Sequence, residues 1–424
     1  MVVMKVYSHE RLERLAAERG MPAEYLHELR VVSSVLPFKV NQYVVDELVD
    51  WSAVPDDPIF RLTFPHRDML PPDMFETLSA LHLAAASPGV IRKAARAAHA
   101  LLNPNPGAQV DANVPVHEGS PLAGVQHKYA ETVLVFPSQG QTCHSYCGYC
   151  FRWSQFVGNA DIRQAAGDVS RVVSYLAASP SVTDVLFTGG DPMIMSATVL
   201  DRWVTPLLAP ELEHVRTIRF GTKALSYWPA RFTTDQDADD MLRLFDRIVA
   251  GGRHVAVMAH FSHVRELEHP EVGEAIRRIR ATGAVIRAQA PVIAHVNDRA
   301  EDWSAMWQRL VELGVVPYYM FVERDTGARN YFGVPLTRAL QIYTDSVRGV
   351  SGLARSARGP VMSAAPGKVL IDAVTDIGGT EVFSLRLLQA RDARQVGRQF
   401  FAHHDPAAEW FDDLRPALGS WWPR

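Results

Sequence analysis

The stretch QTCHSYCGYCFRW, residues Gln141 to Trp153, decides how this chain of 424 residues is read. It holds Cys143, Cys147 and Cys150, and the chain has no other cysteine. Such a triplet admits four readings. One disulfide plus a free thiol belongs to oxidising compartments, where cysteines usually come in even numbers. Inert core cysteines fit poorly with a loop that also carries Tyr146, Gly148 and Tyr149. Structural zinc with His144 as fourth ligand conflicts with the usual two separated ligand pairs, because Cys143 and His144 are neighbours that point poorly at one ion. A four-iron cluster held by three thiolates, with one iron open to a ligand, accounts for the spacing and for the missing fourth cysteine.

The rest of the composition sets the outer limits. A formal net charge of -4, with 47% hydrophobic and 21% charged residues, is that of an ordinary globular protein. It carries no footprint of nucleic-acid or anionic-membrane binding. No apolar run reaches the roughly 18 residues of a membrane span, and the first twenty residues lack a signal-peptide pattern. A reducing, cytoplasmic setting is expected. The length predicts a large catalytic unit with appendages. The expected division is a mostly helical region over 1–110, a barrel over 111–370 and a C-terminal extension over 371–424.

Apolar runs recur on both sides of the cysteines. Thr132–Pro137 precedes them, and Val182–Gly190, Val215–Thr222, His254–Phe261, Ala284–Ile293 and Val315–Val322 follow, each of strand length. Between them lie helical-period segments such as His269–Gly283 and Ala300–Gly314, the second stopping at a glycine. This alternation predicts a parallel sheet with crossover helices, an α/β fold in the form of a partial (β/α)6 barrel. Chemistry in such barrels gathers at the carboxyl ends of the strands. The cysteine loop, the Gly189-Gly190-Asp191 turn and His260 all follow strands directly, so they are expected at one mouth.

The motif Cys-x3-Cys-x2-Cys resembles the signature of the radical S-adenosylmethionine (SAM) superfamily. There the open iron chelates the amino and carboxylate groups of SAM. Thr188-Gly-Gly-Asp-Pro192 is similar to the glycine-rich segment that holds the methionyl amino group. A closer resemblance runs from about Leu36 to Lys368. The segments LPFKVN, DDPIFR, GVQHKY, CHSYCGYCFRW, FTGGDPMIMS, HFSH, QAPVIAHVND, PYYMFVERDTGARNYF and APGK occur in the order of the lysine 2,3-aminomutase family.

That resemblance implies a 4Fe–4S cluster on Cys143, Cys147 and Cys150, SAM near Gly189, Gly190, Asp191, His260 and Gln289, and pyridoxal phosphate (PLP). It makes Lys368 the Schiff-base lysine, with Lys128 and Thr132 at two positions where the family has phosphate-binding arginines. Asn297 matches another polar family position. A 5′-deoxyadenosyl radical would then move the α-amino group of a free amino acid to its β-carbon. It also implies an external electron donor of flavodoxin or ferredoxin type, and a homo-oligomer is expected. Arg152 stands where the family binds the substrate carboxylate, a group that suits a planar guanidinium. The family's late zinc-binding cysteines are absent from this sequence, and no such zinc site is expected.

The distal substrate pocket departs from the family pattern. One of the two aspartates that hold a lysine ammonium is matched by Asp298, but the other position reads Ala364. Arg324 stands where the family usually has an aspartate. A basic amino acid held mainly by Asp298 is favoured, because a buried carboxylate without a partner is costly. If Arg324 faces the pocket instead, a neutral or acidic substrate, glutamate among them, is expected.

Overall fold

The structure is a computed structural model and describes residues 5–104, 113–158 and 164–423. The expected boundary near residue 110 lies outside the described residues. In the N-terminal region, helices Leu12–Arg19, Ala23–Ser33, Pro58–Thr63, Pro72–Leu83 and Pro88–Leu102 pack around Leu15, Leu29, Val32, Phe60 and Leu78. Three of them open on proline, whose missing N–H is unneeded in a first turn. A ribbon of β1 (Val6–Ser8) and β2 (Lys39–Asn41) crosses this region, and a second, β3 (Val116–His117) with β4 (Ser120–Pro121), leads out of it.

The rest of the chain builds one eleven-stranded sheet whose strands lie in sequence order. It starts with β5 (Val125–Tyr129), antiparallel to β6 (Thr132–Val135). Then come β7 (Asp184–Phe187), β8 (Thr217–Thr222), β9 (His254–His260), β10 (Val285–Val292) and β11 (Val316–Val322), all parallel to β6. These six carry the partial β/α barrel, with crossover helices Val169–Ala177, Ala197–Val204, Ala238–Ala250, Pro270–Ala281 and Ala300–Glu312. A seventh parallel strand, β12 (Arg358–Ser363), follows helix Leu336–Arg348. The antiparallel meander β13 (Gly367–Ile377), β14 (Thr380–Ala390) and β15 (Gln399–His403) completes the sheet, with β13 running across residue 371. No helix among the described residues is long and apolar enough to cross a membrane.

Period-two alternation separates the two faces of this sheet. One row runs across five strands through Val135, Phe187, Phe220, Val257 and Ile286, each at most 1% exposed. It packs under the helices, with Phe220 stacked on Phe245 of the Ala238–Ala250 helix at 5.1 Å. The alternate residues Thr132, Leu134, Asp184, Leu186, Arg219, Met258 and Gln289 point inward and line a cavity of about 510 Å³. The charges among them mark that face as a wall of a chamber.

The sheet does not close on itself by strand pairing. Its β5 edge meets the β12–β13 turn, and the segment before β3 meets the end of β14, through side chains. Lys128 of β5 donates to the Ala364 carbonyl beyond β12. Arg391, after β14, donates to the Ala365 carbonyl at 3.2 Å and to Asn113 Oδ1 at 2.7 Å.

Candidate active site

The cysteine loop follows β6, and the N-terminal region supplies the partners its backbone needs. Tyr146 N donates to Lys39 O and Gly148 N to Leu62 O, both at 2.8 Å. Lys39 Nζ donates to Thr142 Oγ1 at 2.7 Å and to the Cys143 carbonyl at 3.1 Å. Burial pushes the Cys143 thiol well above its ordinary value, and Asp191 and the other two cysteines add to it. Burial likewise pushes Cys147 up to about 12 and Cys150 up to about 11. Among the described residues no three His, Cys, Asp or Glu side chains converge on a single ion. The three half-buried thiols sit on one loop and feel one another, a donor set that fits an iron–sulfur cluster. His144 is 2% exposed and occupied elsewhere, with Nε2 3.2 Å from Asp191 Oδ2 and Nδ1 3.5 Å from Asn41 Nδ2.

The Gly189-Gly190-Asp191 turn after β7 packs directly on this loop. A Cβ on Gly190 would stand 2.2 Å from the Thr142 carbonyl oxygen, and one on Gly189 2.3 Å from Gln141 Nε2. Asp191 N donates to Thr142 O at 2.8 Å. The Asp191 side chain departs from its expected use. It is 2% exposed and accepts from Met193 N at 2.9 Å, Thr222 Oγ1 at 2.7 Å, Lys223 N at 2.9 Å and His144. Burial pushes its carboxyl up, but these bonds outweigh it and hold the group below its ordinary value. With protein donors on both oxygens, Asp191 braces the cysteine loop against β8 and has no acceptor to spare for an ammonium group.

His260 ends β9 beside that brace. Its Nδ1 lies 3.3 Å from the Tyr149 hydroxyl and its Nε2 3.5 Å from Gln289 Nε2. Burial, then Lys223, push it down to about 3, so the ring is neutral. Lys223 pairs with the fully buried Glu266 at 2.8 Å, a pair the sequence did not reveal. Asn297 holds the β10 exit loop, accepting from Ile293 N at 2.8 Å and donating to the Ser262 carbonyl at 2.8 Å.

The chamber gathers Lys128, Thr132, Arg152, Gln289, Arg324 and Lys368 among its lining residues. Lys368 opens β13, paired with Ser363 on one side and Gln389 on the other. A Cβ on Gly367 would stand 2.0 Å from the Gln389 carbonyl oxygen, so only glycine lets β14 approach this close. The Lys368 ammonium sits over the Tyr319 ring at 4.6 Å. Burial pushes it down to about 7, helped by Arg219 and Arg358 and opposed by Asp184. Lys128 is also pushed down to about 7, by burial and then by Arg391, Arg324 and Lys368. Thr132 Oγ1 is engaged with Asp184 Oδ2 at 3.0 Å, and Asp184 Oδ1 accepts from Arg219 Nε at 2.8 Å. Asp184 and Arg219 escaped the sequence reading. Their signal was a single charged residue at an inward position of each strand.

Arg152 lines the chamber, over the Phe136 ring at 4.1 Å, and among the described residues it has only a 3.4 Å contact to Gln141 Oε1, with its Nε unpartnered. Arg324 also faces the chamber. Asp298 does not line it. Its Oδ2 accepts from His295 N at 3.1 Å, closing its own loop, so it has a partner and is only half-buried. The expectation that Asp298 holds a distal ammonium is therefore corrected. Its place in the motif fixes the loop, and the side chain serves that loop.

A three-cysteine loop at the carboxyl end of the first strand of a partial β/α barrel defines a radical SAM enzyme. No family model matches the chain. A provisionally named L-lysine 2,3-aminomutase of Aquifex aeolicus (strain VF5) is 30% identical over 394 residues, covering 93% of this chain and 91% of that protein. The L-lysine 2,3-aminomutases of Fusobacterium nucleatum and Clostridium subterminale are each 27% identical, over 296 and 244 residues. Those matches cover 69% and 57% of this chain, and only 64% and 55% of the relatives. The chain belongs to the lysine 2,3-aminomutase family. Among solved structures, a radical SAM methyltransferase from Sphaerobacter thermophilus is 16% identical, with 55% of this chain and 68% of that chain covered and a TM-score of 0.38. Streptococcus suis SuiB bound to S-adenosylmethionine is 11% identical, with 63% and 56% covered and a TM-score of 0.36.

Proposed function

We propose that this chain is a PLP-dependent radical SAM 2,3-aminomutase that acts on a free L-α-amino acid. The observation that carries the reading is the pair Lys368 and Arg152, two basic side chains in one chamber with no carboxylate bonded to either among the described residues. When bound, the cluster and SAM supply a carbon radical that abstracts hydrogen, and PLP supplies a conjugated ring that delocalises an unpaired electron. The chain's own residues do the rest. Lys368, pushed down to about 7, has a substantial neutral fraction near neutral pH, the form able to attack a carbonyl. Lys128 and Arg391, both bonded to the β12–β13 turn, offer the positive charge a phosphate needs. Arg152 offers a planar fork to the substrate's α-carboxylate. Leu134, Leu186, Met258, Phe151 and Phe321 line the same chamber and keep water from a reactive carbon. The neutral His260 and Gln289 at its edge offer hydrogen bonds without adding charge.

The reading is tested on anaerobically reconstituted protein with SAM, PLP and a low-potential flavodoxin or ferredoxin. Borohydride reduction should leave a pyridoxyl group on the peptide carrying Lys368, and mass spectrometry should show a β-amino acid product. Adduct formation on another lysine, or no PLP uptake, would overturn the assignment.

A further inference from the structure

We propose that the substrate is an L-α-amino acid with a distal carboxylate, of glutamate's length or longer, held at that end by Arg324. The inference rests on the aminomutase reading and goes beyond it by naming the substrate class. Its first support is Arg324 itself. Among the described residues this guanidinium has no hydrogen bond or ion pair, and its Nε is buried without a partner. Its contacts are ring faces, Phe151 at 5.4 Å and Trp410 at 5.6 Å. A guanidinium stacked on aromatic rings and short of an acceptor is poised for a carboxylate.

The second support is independent and lies on other elements. Asp298 is bonded to His295 N outside the chamber, and the lining position at the β12 end is Ala364. At neither of those two positions does the chamber offer a carboxylate to a distal ammonium. The third is charge. The lining carries Lys128, Arg152, Arg219, Arg324, Lys368 and Arg391 against Asp184, Asp325 and Asp412. Asp184 is bonded to Arg219, Asp412 is exposed at the rim, where water screens it, and Asp325, next to Arg324 in the chain, offsets part of its charge, which still leaves six basic side chains against three carboxylates. With phosphate at Lys128 and Arg391 and the α-carboxylate on Arg152, Arg324 is the cation left to answer. A lysine ammonium brought to this wall meets a like charge.

The reaction sets the minimum length. Moving the amino group of aspartate from C2 to C3 regenerates aspartate, because C3 carries the second carboxylate. Glutamate is the shortest dicarboxylic substrate that gives a new product, with hydrogen leaving C3, nitrogen passing from C2 to C3 and hydrogen returning at C2. No net oxidant or reductant is consumed.

The experiment uses the reconstituted holoenzyme with L-glutamate, L-2-aminoadipate, L-glutamine, L-alanine and L-lysine offered separately. The readouts are the substrate-induced change in the PLP absorbance and the β-amino product by mass spectrometry. The expected result is β-product from glutamate or aminoadipate and none from lysine. Arg324→Met should then raise KM for the dicarboxylate about 100-fold, the loss of one buried charge-assisted pair. Arg324→Lys should restore part of that loss, which a merely structural role would not do. Turnover of lysine, glutamine or alanine with no dicarboxylate turned over overturns the inference and leaves the aminomutase reading standing. An unchanged PLP absorbance with all five overturns both.

Discussion

Lys368 places a titratable amine where water is excluded, and that placement reaches the stability of the whole chain. In the unfolded chain its proton is held to about 10.5, and in the folded chain only to about 7. Between those values the folded state binds fewer protons, so stability rises with pH across the window; below pH 7 the penalty of the buried charge is fully present. Lys128 pushes in the same direction. The melting temperature of cofactor-free protein should climb from pH 7 to pH 9, and Lys368→Met should flatten part of the climb. The Lys223–Glu266 pair makes a sharper case at the same scale. Lys223→Met strands a fully buried carboxylate and should cost about 3–5 kcal/mol in denaturant unfolding. Replacing both partners by Met and Leu should recover most of it.

At the scale of elements, two glycines set how close one strand end or loop comes to another. Gly190→Ala would drive a methyl to 2.2 Å from the Thr142 carbonyl oxygen and displace the cysteine loop. Gly367→Ala would drive one to 2.0 Å from the Gln389 carbonyl oxygen and displace the start of β13. Each should cost at least about 1–3 kcal/mol, and their functional signatures should differ. The first variant should lose iron on reconstitution, whereas the second should keep iron and lose pyridoxyl trapping on Lys368. Iron analysis and peptide mapping separate them. The parallel strands themselves were legible in sequence, because apolar runs bounded by glycine and charge leave few other packings. Their ends were less so: Val182, Thr183 and Thr188–Gly190 read as strand but serve as loop. β12 was not anticipated, since Gly359 and Pro360 interrupt its apolar pattern. The candidate site residues were named through their motifs, and six of them line one chamber. What the motifs could not convey was orientation, and so Asp191 and Asp298 turned out bonded to their own surroundings.

On the scale of the whole molecule, one sheet runs from β5 to β15, and the N-terminal helices clamp the cysteine loop from outside it. The alternation that predicted a barrel said nothing of how its edges would meet, because side-chain contacts between Lys128 and Ala364, 236 residues apart, leave no periodic trace. Amide hydrogen exchange should show that asymmetry. Amides of Val125–Tyr129 and of residues 364–366 should exchange faster than those of β8 and β9, and slow when phosphate or PLP is added. Uniform protection around the sheet would contradict it. A barrel stitched shut by ladders could admit cargo only by tearing backbone bonds. Here a few lysine and arginine tethers do the fastening, each worth about 1–3 kcal/mol. Parting this wall would break only those few bonds, and an anion set between the cations would draw it together.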